Sequence, residues 1–267
     1  MILGLGAALF GSATYGVASV LQAVGAARAS GPAVVRQPAY LLGLICDLIA
    51  WLASLVALQR MPAFAVQSLL AGSVGVTVLL AWLFLGARPR RRDGFALVLL
   101  VVSLVGVAAA AGSQAASAAP RWFDVAMGVA VVVLGGLLAV TYRHGRWATL
   151  AVIAGAAFAG AAVCARGLDV SSGWQVLLEP LAWAIAGFGV LGALAYARSL
   201  ESGQVGPATA LLWVVEVLVA GLVGVFALGD QVRPGLGWLA VASVVVAVGA
   251  SGVLALSPAA EPRAATG

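Results

Sequence analysis

Long uncharged apolar runs alternate along this chain with short segments rich in arginine, glycine and proline. Stretches of about 20 apolar residues have spanning length, and nine occur: 2–26, 39–59, 62–87, 94–113, 123–142, 147–165, 180–197, 207–229 and 235–256. The plainest is the third, which Pro62 opens and Arg88, Arg90, Arg91 and Arg92 close. None shows the apolar/polar alternation of barrel strands, and in lipid a helix satisfies its own backbone amides. The pattern predicts an all-α polytopic membrane protein with about nine transmembrane helices, in the plasma membrane.

Composition agrees. Of 267 residues, 63% are hydrophobic and 9% charged, with a mean hydropathy of +1.12, which excludes an ordinary water-soluble domain. The net charge of +5 does not imply nucleic acid, because the arginines sit in short loops rather than on one soluble face. The expected partner is the lipid bilayer. Met1 leads straight into apolar sequence with no basic segment before it, so the first run is expected to be retained as a helix.

Arginine placement predicts orientation. With nine crossings, ten arginines fall on the side opposite the N-terminus: Arg28, Arg36, Arg88, Arg90, Arg91, Arg92, Arg143, Arg146, Arg198 and Arg263. Four fall on the other: Arg60, Arg121, Arg166 and Arg233. The N-terminus is therefore expected outside and the C-terminus in the cytoplasm. Trp82, Trp122, Trp147, Trp174 and Trp238 lie near run ends, as an interfacial belt requires.

A weak repeat is present. Arg60-Met61-Pro62-Ala63 opens the third run and Val205-Gly206-Pro207-Ala208 the eighth; the two close on Leu85-Gly86 and Leu228-Gly229. Pairing runs 1–4 with runs 6–9 leaves the fifth as a spacer and makes the second copy enter from the opposite side. The expected organisation is a first four-helix repeat over 1–121, a spacer helix over 122–145, a second repeat over 146–258 and a cytoplasmic tail over 259–267.

Two acids interrupt the apolar runs. An acid in a spanning helix costs about 2.5–3.5 kcal/mol on insertion scales, so it is expected to face protein or water. Asp47 lies in the second run with Trp51 and Ser54 at i+4 and i+7; Glu216 lies near the middle of the eighth with Trp213 and Thr209 at i−3 and i−7. Each set falls on one helix face. The first run adds a polar stripe of Ser12, Tyr15, Ser19 and Gln22, and the third adds Gln67 and Thr77. Such groups either bind helix to helix or line a cavity. A shared site would require Asp47 and Glu216 to border one water-accessible cavity, where they bind a cation or a proton exchanged for solute, beside aromatic rings.

Other polar positions read as structural. Glu179-Pro180 reads as a helix cap, and Asp93, Asp124, Asp169 and Asp230 as solvated or capping acids. Cys46 and Cys164 lie apart inside apolar runs and read as small buried side chains. His144 is the only histidine, no His/Cys cluster has metal-ligand spacing, and Gly4-x-Gly6 has neither the third glycine nor the strand of a dinucleotide site. No enzyme activity and no cofactor are expected.

The segment Leu55-Val56-Ala57-Leu58-Gln59-Arg60-Met61-Pro62-Ala63, then Val66-Gln67, Leu83-Phe84-Leu85-Gly86 and Arg91-Arg92-Asp93-Gly94, resembles the drug/metabolite transporter (EamA-like) superfamily. The nearer likeness is to its nine-helix branch, similar to NIPA-type magnesium transporters. The chain departs from the pattern at Ala87, where the superfamily signature has Glu, and the acid of the NIPA-type helix aligns near Trp51, one turn from Asp47. The resemblance implies a secondary transporter of a small solute or metabolite working by alternating access. The alternatives are a divalent-cation (magnesium) pathway, with Asp47 and Glu216 as the metal ligands, and a flippase for a lipid-linked or amphiphilic substrate, which a lateral opening between helices would favour. Glycine-rich helices serve internal packing and homodimerisation alike, so both monomer and homodimer stay open.

Overall fold

The computed structural model describes residues 2–26, 28, 36–85, 90–111, 119–168, 175–176, 178–200 and 205–257. Gly86, Ala87, Arg88, Asp169, Trp174 and Arg263 lie outside these. Among the described residues the regular elements are helices: α1 (Ile2–Ala26), α2 (Pro38–Leu58), α3 (Ala63–Ala71), α4 (Ser73–Leu85), α5 (Arg91–Ala110), α6 (Arg121–Thr141), α7 (Trp147–Gly167), α8 (Pro180–Leu200), α9 (Val205–Ala227) and α10 (Gly237–Ala255). They make nine spans long and apolar enough to cross a membrane, with α3 and α4 sharing one. The chain is a multi-pass helical membrane protein.

Proline sets several of the starts. Pro38 and Pro180 are the first residues of α2 and α8, and Pro62 and Pro120 are the N-caps of α3 and α6. Proline suits these places because the first N–H groups of a helix have no intrahelical partner. Gly229, at φ +67°, turns the chain out of α9 in a conformation that favours glycine.

The third run forms one span, as expected, with a local irregularity: α3 ends at Ala71 and α4 begins at Ser73, and Gly72 between them keeps right-handed helical angles (φ −60°, ψ −17°). Around Gly72 the bonds shorten to three-residue closures, from Gly72 N to Leu69 O and from Gly75 N to Gly72 O. Tight packing on the glycine accompanies the irregularity: a Cβ on Gly72 would meet Leu104 at 2.8 Å and the Ser12 hydroxyl at 3.4 Å. Ser251 of α10 donates to the Ala71 carbonyl at 3.2 Å.

Two spans form the centre. The α3–α4 span is 78% buried and α7 67%, whereas α6 is 11% buried and peripheral. All nine residues of α3 are buried. α1 packs on α2 and α4, α7 on α8 and α9, and α5 on α10. The main core joins Leu58, Met61, Val66 and Leu69 to Phe123, Val163 and Phe188.

Two acids expected in loops are buried instead. Asp230 is 4% exposed and paired with Arg166, itself 2% exposed in the last turn of α7. Asp93 is wholly buried, where it caps α5 by accepting from Arg90 N and accepts from the Ser257 hydroxyl. A short side chain beside a free helix N-terminus finds donors inside the protein, so these carboxyls act as caps without being solvated.

Candidate functional site

α1 carries its polar stripe toward the protein. Leu9, Phe10 and Val17 are exposed on one side of it, and three of the four stripe residues, Ser12, Tyr15 and Gln22, turn inward. Ser12 is buried against Gly72. Ser19 is exposed and donates back to Tyr15 O at 3.0 Å, so its hydroxyl is used locally. Gln22 reaches across to α2, where its Nε2 donates to Asp47 Oδ2. Gly43, one turn before Asp47, makes room for this: a Cβ there would sit 2.6 Å from Gln22 Cγ.

Asp47 is half-buried at the edge of the α2 face that packs on α1. Trp51 is further round and 39% exposed, and Ser54 is buried with its hydroxyl donating to Trp51 O at 2.6 Å. α2 thus turns its acid partly toward the protein and its tryptophan less so.

On α9, Leu218, Leu222 and Val225 are exposed, and Glu216 projects from the opposite side into the bundle, 7% exposed. Among the described residues no group donates a hydrogen bond to it. Trp213, one turn earlier, packs against all three apolar clusters of the core. Thr209 shares a hydrogen bond with Tyr196 of α8 at 2.6 Å. Gln67 is 3% exposed and its Oε1 has no hydrogen-bond partner among the described residues. Thr77 donates to Ser73 O.

Tyr15, half-buried on α1, packs against the main core. Tyr15, Asp47, Gly72 and Glu216 each fall within two residues of the middle of their spans, about 3 Å of depth at 1.5 Å per residue. Two carboxyls, one phenol and the Gly72 irregularity thus share one depth of the bundle. Groups of this kind can hold a proton, an ammonium group or a partly hydrated metal ion. Among the described residues no set of three His, Cys, Asp or Glu side chains is placed to hold a metal, so an ion there would keep part of its water.

The residues that sequence reasoning missed are Arg166 and Asp230. One signal was available: the matched run ends read Leu85-Gly86-Ala87 and Leu228-Gly229-Asp230, so the second carries an acid where the first does not. In comparisons with known proteins, no family model, no curated protein and no solved structure matches the chain.

Proposed function

We propose that this protein is a secondary transporter of a small solute, working by alternating access around Asp47 and Glu216 and belonging with the drug/metabolite superfamily it resembles. The carrying observation is Glu216, a bundle-facing carboxyl in mid-span with no hydrogen-bond donor among the described residues. Such a group is costly to keep in a bilayer unless a ligand or proton uses it.

Packing supports the inverted repeat. A Cβ on Gly16 of α1 would strike Ser73 O and Val76, and one on Gly155 of α7 would strike Leu212 O and Val215. The sequence intervals are the same in both sets. The arginine distribution supports an outer N-terminus and a cytoplasmic C-terminus.

A second reading, a flippase, draws on an open groove of about 310 Å³ between α6 and α9. Its lining is apolar throughout, including Trp122, Met127, Val223 and Phe226, and suits an acyl chain.

Flux into proteoliposomes separates the readings. Purified protein is tested with magnesium, with a panel of organic solutes under a proton gradient, and with a fluorescent phospholipid. Solute-driven proton movement supports the carrier, magnesium uptake alone supports the cation pathway, and phospholipid translocation alone supports the flippase. Correctly inserted protein that moves none of these contradicts the proposal.

A further inference from the structure

At the membrane face where α3 begins and α9 ends, one buried ion pair ties four helix ends together. Arg166 Nε and Nη2 both donate to Asp230 Oδ1, at 3.0 and 2.9 Å, and Nη1 donates to Leu58 O at 2.7 Å. Asp230 Oδ2 accepts from Ala63 N at 2.6 Å. Beside the pair, Gln59 Nε2 donates to Ala165 O at 2.6 Å. Leu58, Gln59 and Ala63 come from the first half of the chain, and Ala165, Arg166 and Asp230 from the second. The clamp therefore crosses the interface between the halves.

We propose that this clamp is the closed gate of the transporter at the Asp230 face, and that Arg166 and Asp230 must part before the mid-span acids become accessible there. The inference rests on the transporter reading above. On this half of the molecule the two halves of the chain are in close contact: α3 packs on α9, with Ala63 against Gly224 and Phe64 against Gly221. Beyond Gly72, α4 packs on α1 and, from the second half of the chain, on α10. At the opposite face the halves meet where α5 packs on α10, and there the contact is a neutral donor on a carboxylate, from the Ser257 hydroxyl to Asp93 Oδ2 at 2.6 Å. Both faces are held, and the Asp230 face is the one closed by an ion pair between the halves.

The chemistry suits a gate better than a permanent seam. A buried ion pair gains little over well-packed apolar residues, because both charges give up water to form it. Parted at a membrane surface, the same charges recover their water, so the clamp can exchange partners where an apolar seam would expose its core. Interface salt bridges that break and re-form are a recurring feature of rigid-body switches.

Native Cys164 reports on the gate, being fully buried two residues before Arg166. In protein carrying Cys46→Ala, the rate of Cys164 labelling by a membrane-impermeant maleimide added at the Asp230 face should rise at least tenfold in Asp230→Asn. A second reporter, Thr77→Cys with both native cysteines replaced by Ala, sits half-buried on the central span beyond Gly72 and should react from the opposite face and slow down in Asp230→Asn, because opening one face closes the other. Unchanged Cys164 labelling in folded Asp230→Asn, or faster labelling at both reporters, would overturn the proposal, the latter because it marks general loosening. Should Asp230→Asn fail to fold, Gly224→Ala is read the same way, since its Cβ would meet Asp230 Oδ2 at 2.6 Å. Labelling needs no solute, so loss of the transporter reading would show separately, as a parent protein that labels as expected and carries nothing.

Discussion

At the scale of single residues, the two acids have different surroundings, and that difference can be measured. Asp47 has a donor in Gln22, while Glu216 has none among the described residues. A double-mutant cycle of Gln22→Ala and Asp47→Ala in denaturant unfolding should give a coupling of about 1–2 kcal/mol, the upper range for hydrogen bonds inside helical membrane proteins. A coupling near zero would mean that the Gln22 contact contributes nothing. Glu216→Leu should leave stability unchanged or raise it by about 1–3 kcal/mol, because it removes a buried carboxyl that lacks a partner. A clear loss of thermal stability would reveal a partner for Glu216. Legibility at this scale was uneven. Asp47 and Glu216 stood out because a charge in an apolar run is conspicuous. Arg166 and Asp230 did not, because each lies next to a run end, where solvent is the ordinary surrounding, and their pairing spans 64 positions of chain.

At the scale of elements, glycine decides how closely the helices approach. A Cβ at Gly155 would meet the Leu212 carbonyl at 2.6 Å, which backbone cannot easily yield, whereas one at Gly128 meets nothing within 4 Å. Gly155→Ala should therefore cost about 1–3 kcal/mol, and Gly128→Ala should change unfolding by no more than about 0.5 kcal/mol. Equal effects at the two sites would show that α7 and α9 do not depend on close approach. The spans themselves were readable to within a few residues, since length and apolarity are local properties. The irregularity at Gly72 was not: a lone glycine in an apolar run is compatible with a regular helix, and the packing around it involves Ser12 and Leu104, distant in sequence.

At the scale of the whole molecule, the two halves of the chain meet along α3 and α9 and along α5 and α10. The halves are not equally central: the most buried spans are the third in order, α3–α4, and the sixth, α7. A strictly symmetric repeat of runs 1–4 and 6–9 would bury its third and eighth spans alike, so the departure is a property of this fold that pattern matching along the chain could not reveal. A C-terminal fusion should be active only with a reporter that works in the cytoplasm, and activity of a periplasmic or extracellular reporter there would reverse the orientation. The central claim is that Asp47 and Glu216 serve one site. The most direct measurement is proteoliposome flux of whichever solute the parent carries, in Asp47→Asn, Glu216→Gln and the double variant. Each single substitution should cut flux more than tenfold, and the double should be little worse than either, because groups acting as a unit fail together. Flux that survives both substitutions in well-folded protein would contradict the account.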